Sequence, residues 1–210
     1  MASPLKWRME EDHPITEVGI DEAGRGCLMG RVYVGMVILP DDEPPADSLW
    51  WQVKDSKKLS AKKRAMLRKF IQENAKDWKV EYADVEEIEK DNILQATIQA
   101  AHRGLHGLRV RPKMILMDGP YFRFYMDPTT DEAVSHICVP KGDASYIAIA
   151  AASILAKEAR DEWVSEVAVD HPEYGWEKNK GYGTKQHRDA IKEHGVTTHH
   201  RMSFLKNLLG

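Results

Sequence analysis

The sequence predicts an α/β domain, one central sheet with helices packed against it, and two observations carry that expectation. Short Val-, Ile- and Leu-rich runs, bounded by glycine or turn residues, alternate with longer stretches in which apolar residues recur at helical spacing. The chain's 210 residues also suffice for one ordinary hydrophobic core without disulfides or a structural metal.

Taken in order, residues 15–21 and 32–39 read as strands, and 41–46, with Pro44 and Pro45, as a loop. Ser60 suits the N-cap of a helix over 61–74, whose apolar stripe is Met66, Leu67, Phe70 and Ile71. Residues 78–82 read as a strand. Residues 92–105, with Ile93, Ala96, Thr97 and Ala100 at helical spacing, read as a helix. Residues 113–117 form a short buried strand closed by the Asp118-Gly119 turn, and 135–139 another strand. A long helix over 147–164 carries Ala148, Ala151, Ala152 and Ala156, small enough to lie close against a sheet. Residues 172–183 are loop-like, Thr184 caps a helix to residue 194, and 203–209 form a short amphipathic tail. Residues 1–14 are expected to be an N-terminal segment, and 15–210 one domain that includes a small helical C-terminal part.

A net charge of −3 argues against a wholly basic nucleic-acid binder. The charges are segregated, however. Residues 54–69 hold eight Lys/Arg against one Asp, and a second basic stretch spans 178–188, while acid gathers at 41–47 and 84–91. Separated blocks suit an enzyme with one basic face for a polyanion, although a solvated helix face would look the same. Cys27 and Cys138 make no disulfide framework, so a reducing compartment is expected. The first fifteen residues lack a signal peptide's apolar stretch, and the run over 146–156 is too short to cross a bilayer. These features predict a cytoplasmic protein with no membrane contact. No association surface stands out, so a monomer is expected.

The sharpest local feature is Gly19-Ile20-Asp21-Glu22-Ala23-Gly24-Arg25-Gly26. Adjacent strand residues point to opposite faces, so Asp21 and Glu22 can serve one site only if the chain twists or bulges there, as the glycines permit. Asp118 again closes an apolar strand, the edge at which ligands gather in open α/β sheets. Asp143 precedes the alanine-rich helix. Each acid has a plainer reading: a solvated edge for the pair, a turn for Asp118, a helix cap for Asp143. Together they could converge on a divalent cation, since Mg²⁺ prefers carboxylate oxygens, waters and phosphates. No Cys/His spacing suggests zinc, and His199-His200 reads as a packed or phosphate-facing pair. Asp161 lies eighteen residues beyond Asp143, over ~25 Å down a helix at 1.5 Å per residue, and is expected to pair with a nearby base. Trp50, Trp51, Trp163 and Trp176 are expected to pack in or around the core.

Taken as an ordered set, Gly19–Gly26, Asp55-Ser-Lys-Lys-Leu-Ser60, Asn92-Ile-Leu-Gln-Ala-Thr97, Met117-Asp-Gly119, Lys141-Gly-Asp143, Ala151-Ala-Ser-Ile-Leu-Ala-Lys157, Lys180-Gly-Tyr-Gly-Thr184 and His200-Arg-Met-Ser-Phe204 resemble the ribonuclease HII family. The resemblance spans roughly residues 15–205. It implies an RNase H-like fold, a mixed central sheet flanked by helices with a small helical C-terminal portion. It further implies that Asp21, Glu22, Asp118 and Asp143 bind Mg²⁺ or Mn²⁺ and are catalytic. Gly24-Arg25-Gly26 matches the loop that reads the ribose 2′-hydroxyl at an RNA–DNA junction, and Tyr182 the tyrosine that stacks under the sugar on the DNA side. Lys57 and Lys58, with the helix over 61–74, would hold the duplex backbone. The implied substrates are RNA–DNA hybrids and duplex DNA with embedded ribonucleotides, cut to 3′-hydroxyl and 5′-phosphate ends. The chain departs from the family where Cys27-Leu28-Met29-Gly30-Arg31-Val32 replaces Pro-Leu-Ala-Gly-Pro-Val, which predicts a looser segment and an added charge. Glu158 stands where relatives carry an apolar residue.

Overall fold

The computed structural model describes residues 5–9 and 15–209. Strand β1 (Glu17–Ala23) is the spine of a six-stranded mixed sheet. It pairs antiparallel with β2 (Val32–Ile38) and parallel with β4 (Met114–Asp118). Strand β3 (Asp77–Ala83) adds antiparallel to β2, β6 (Glu132–Val139) adds parallel to β4, and β5 (Tyr125–Asp127) forms the far edge. The expected strands are present, with β1 running two residues further than its apolar pattern suggested. Its pairing continues unbroken through Asp21↔Gly35 and Glu22↔Val34, so the acids are not separated by a bulge. The turn comes after them, at Gly24, whose φ of 95° suits glycine.

Helices α1 (Ala61–Asn74), α2 (Val85–Asp91), α3 (Ile93–His106), α4 (Ile147–Ala168), α5 (Trp176–Asn179), α6 (Lys185–His194) and α7 (Lys206–Leu209) complete the fold. Ser60 and Thr184 cap α1 and α6 as expected, accepting from Lys63 N at 3.3 Å and His187 N at 3.2 Å. In α1 Leu67 and Ile71 are buried, whereas Met66 faces solvent. Helix α2 lies within the acidic block and is fixed by reciprocal bonds between Asp84 and Glu87.

One sheet face packs Val18, Ile20, Val34 and Met36 against α3. The other receives α4, backed by α1 and by Trp7 and Trp50 from the N-terminal side. The alanines of α4 meet glycines of the sheet. A Cβ on Gly19 would lie 2.3 Å from Ala148 C, and one on Gly35 2.2 Å from Ala152 O. Backbone approach this close lets α4 sit directly beneath Asp21, whose register partner is Gly35. Glu158 is explained here, because Arg64 of α1 donates to it at 2.7 Å. Asp161 pairs with Lys157 at 2.6 Å and lies 3.8 Å from Arg64, a structural role as expected. A third cluster of Met29, Val164, Tyr174, Trp176, Ile191 and Leu205 forms the C-terminal part.

Gly35→Ala should push α4 off the sheet and cost about 1–3 kcal/mol, the usual penalty for overpacking. Urea unfolding measures it, and an unchanged midpoint would contradict the close approach.

Candidate active site

Three elements bring the four acids together. Asp21 and Glu22 sit on β1, Asp118 ends β4, and Asp143 lies in the short 3-10 turn Gly142–Ala144 ahead of α4 rather than capping that helix. The N-cap of α4 is Tyr146. Asp118 Oδ1 accepts from Gly142 N at 2.7 Å, which ties the end of β4 to the turn that carries Asp143. Asp21 is buried and its Oδ1 accepts from Glu22 N at 2.7 Å.

The electrostatics agree with that convergence. Burial, then the charges of Glu22, Asp118 and Asp143, hold the Asp21 carboxyl well above the usual carboxylate range. Burial also raises Glu22, with Asp118 adding to the rise and Arg25 opposing it, and Arg25 donates to Glu22 Oε1 at 3.2 Å. Burial raises Asp143, with Asp55 and Asp118 contributing. Lys57 faces the same group: burial pulls its ammonium down, but Asp21, Asp55 and Asp143 outweigh that and raise it. The second Glu22 oxygen is buried without a hydrogen-bond partner among the described residues. The acids share one neighbourhood without closing on each other, for among the described residues no three Asp, Glu, His or Cys side chains form a ready-made metal cage. Mutual repulsion between like charges opposes a tighter approach. An all-oxygen donor set with one unpartnered buried oxygen fits a hard divalent cation.

Beside the acids lies the Gly24-Arg25-Gly26 loop, in which Gly24 is buried and Arg25 and Gly26 are exposed. Two buried arginines hold it. Arg201 Nη1 donates to Arg25 O and Cys27 O, both at 3.0 Å, and its Nε to Gly30 O at 2.8 Å. Arg160 Nη1 donates to Lys180 O at 2.9 Å, and a Cβ on Gly24 would lie 2.1 Å from its Nε. The same guanidinium lies 5.9 Å from the ring centroid of Tyr182. Arg160 therefore stands between the two loops that the sequence singled out. Its signal was present, since it falls in the buried row Ala152, Ala156, Arg160, Val164 and Ala168, but a lone arginine in a helix announces no partner. Tyr182 is 43% exposed and free to meet a ligand. Lys58 is exposed and pairs loosely with Asp55 at 3.9 Å.

The segment after the loop is pinned rather than loose. Cys27 N donates to Gly24 O, Leu28 N to Gly181 O and Gly30 N to His199 O, at 3.4, 2.9 and 2.8 Å. A proline at position 27 could not make the first of these. Cys27 and Met29 are fully buried, and the Arg31 guanidinium lies 4.0 Å from the Tyr82 ring centroid and 5.0 Å from that of Trp163.

A family model for ribonuclease HII matches residues 18–207. The chain belongs to the ribonuclease HII family. Like its relatives it is an endoribonuclease. It is 48% identical over 188 residues to the ribonuclease HII of Parabacteroides distasonis, covering 90% of this chain and 89% of that one. The ribonuclease H2 of Pyrococcus horikoshii OT3 shares the fold at a TM-score of 0.72 and 23% identity, over 92% of this chain and 97% of that one. So does Bst-RNase HIII, solved in complex with Mn²⁺, at a TM-score of 0.67 and 19% identity, over 88% of this chain and 64% of that one. The sequence reading of a mixed-sheet ribonuclease HII is borne out.

Behind the loops, burial and then His187, His199 and His171 push the His200 imidazole down to about 4. An unfolded histidine titrates near ~6.5, so the neutral folded form contributes its full stability above that pH. The contribution is lost as pH falls from about 6.5 towards about 4. The His200 ring proton, followed by NMR, should show its midpoint near 4, and one near ~6.5 would contradict the burial of a neutral ring.

Proposed function

We propose that this endoribonuclease cuts the RNA strand of RNA–DNA hybrids and nicks on the 5′ side of ribonucleotides embedded in duplex DNA, leaving 3′-hydroxyl and 5′-phosphate ends. One observation carries the reading: the four acids from β1, β4 and the 142–144 turn adjoin a backbone-rich loop that is tied through Arg160 to Tyr182. Asp21, Glu22, Asp118 and Asp143 would hold Mg²⁺ or Mn²⁺. Such a cation, when bound, lowers the cost of generating a hydroxide nucleophile and neutralises charge on the phosphate. Manganese in the related Bst-RNase HIII agrees with that assignment.

The protein's own groups do the rest. Among the described residues, Oδ1 of Asp118 accepts from Gly142 N and its Oδ2 accepts no hydrogen bond. Lys57, drawn towards Asp21 and Asp143, offers a positive charge at the edge of the acidic pocket, where a phosphate diester must enter. Exposed Gly26 and the backbone around Arg25 can approach a ribose closely, and the 2′-hydroxyl both donates and accepts, which is what a backbone reader requires. The exposed Tyr182 ring offers an apolar face for a sugar that lacks that hydroxyl. Lys58 and the basic α1 add sequence-independent, salt-sensitive affinity for the duplex backbone. No described helix is long and apolar enough to cross a membrane.

The decisive assay uses a DNA duplex carrying one ribonucleotide. A Mg²⁺-dependent nick on its 5′ side, abolished by EDTA, supports the reading. Cutting of long hybrids alone would remove the junction role. Asp118→Asn should keep the fold and lower the rate by about 10³-fold or more, because it weakens the hold on the cation that the reaction needs. Tyr182→Ala should lower cleavage at a single ribonucleotide far more than on long hybrids, and equal losses would refute its assignment.

A further inference from the structure

A buried polar network lies beneath Tyr182 and outside the acidic centre. At its middle is His187, fully buried in the first turn of α6. Its Nδ1 lies 3.0 Å from Tyr182 O, and Trp176 Nε1 lies 2.8 Å from its Nε2. An indole N–H can only donate, so Nε2 accepts and the ring proton sits on Nδ1, donated to the Tyr182 carbonyl. His200 completes the assignment. Its Nδ1 accepts from Thr197 N at 2.9 Å, which leaves the proton on Nε2, 3.3 Å from His187 Nε2. Both rings are thus neutral, each in one tautomer, and burial disfavours charging either of them.

The loop above needs such support. Lys180 and Gly181 occupy the left-handed region in succession, at φ 50° and 80°, and lysine pays a steric penalty there that glycine does not. The carbonyls of residues 180, 181 and 182 each have an anchor from another part of the chain: Arg160 Nη1, Leu28 N and His187 Nδ1 respectively. Arg160 and Leu28 connect the loop to α4 and to the segment after Gly26. The carbonyl of Tyr182 itself accepts from Thr184 N, two residues along the same loop, at 2.8 Å, and His187 Nδ1 adds the side-chain donor from within α6.

We propose that His187 is a positioning residue, whose Nδ1–H sets the backbone at Tyr182 and thereby tunes discrimination between a single embedded ribonucleotide and a continuous hybrid. This rests on the junction role of Tyr182 given above. It assigns to His187 a share in substrate selection without any contact of its own to substrate.

Two substitutions separate the ring's two bonds. In His187→Asn the amide nitrogen falls close to the position of Nδ1 and can still donate to Tyr182 O. In His187→Gln the amide falls close to Nε2, so the partner of Trp176 is kept and the donor to Tyr182 is lost. A net hydrogen bond of about 1–1.5 kcal/mol corresponds to roughly tenfold. His187→Gln should therefore lower the ratio of single-ribonucleotide to long-hybrid kcat/KM by about tenfold, and His187→Asn should restore it to within about threefold of the parent. Circular dichroism and thermal midpoints check that both variants fold. A ratio unchanged in His187→Gln while Tyr182→Ala shifts it overturns the positioning role. A ratio unchanged in Tyr182→Ala overturns the junction reading itself, and this proposal with it. Long-range proton–nitrogen NMR on the unmodified protein gives an answer independent of variant folding. A proton on His187 Nδ1 supports the proposal, and one on Nε2 refutes it.

Discussion

Like charge confined to one poorly solvated corner is the constraint from which the rest of this structure follows. Asp21 is buried, Asp143 nearly so, and Glu22 and Asp118 stand beside them. Water cannot fully screen these acids, and each raises the cost of ionising its neighbours. Arg25 and Lys57 offset part of that cost. The remainder is stored in the folded protein, which must hold its acids in place by other means. The glycines of β1 and β2 supply one such means, since they allow α4 to press against the strand that carries Asp21. The bond from Gly142 N to Asp118 supplies another.

A second constraint concerns buried positive charge. Arg160 and Arg201 are almost entirely inaccessible, and among the described residues neither forms an ion pair; backbone carbonyls accept from them instead. Burying a guanidinium is costly unless its donors are well matched. Here carbonyls of residues 25–30 and of residue 180, chain segments far apart in sequence, accept from most of the donors, while Arg160 Nε and Arg201 Nη2 are buried without a partner among the described residues. The arrangement joins the sheet to the C-terminal part, and the 24–26 and 180–183 loops both lie along it. Met29 and Cys27 fill the space beneath, at positions where the family pattern the sequence resembles would have alanine and proline. Burial of both side chains, together with the Cys27 N–H bond that proline could not form, explains why the substitution leaves the segment ordered.

Much of this was legible in the sequence because it depends on local pattern. Helices α1, α3 and α6 carry apolar spacing and side-chain caps, α4 carries a long alanine-rich apolar run, and the acids stand at or near element ends where side-chain chemistry is conspicuous. Helix α2 was hidden within a charge block, although Asp84 and Glu87 form a capping pair that announces it. Strand β5 spans three residues, too few for alternation to register. Asp55, Arg160 and His187 escaped for a different reason. Their roles arise from tertiary contact: Asp55 beside Asp143, Arg160 under Gly24, and His187 under Tyr182. No local spacing encodes such meetings.

The central claim is that the acidic centre is held against its own repulsion until a cation binds. Equilibrium urea unfolding of the parent protein and of Asp21→Asn, both in EDTA at neutral pH, tests it most directly. Asparagine keeps the oxygen that accepts from Glu22 N but removes a buried charge. The account predicts that the variant is the more stable by about 1 kcal/mol or more, and that Mg²⁺ stabilises the parent but not the variant. A variant less stable than the parent in EDTA would contradict it.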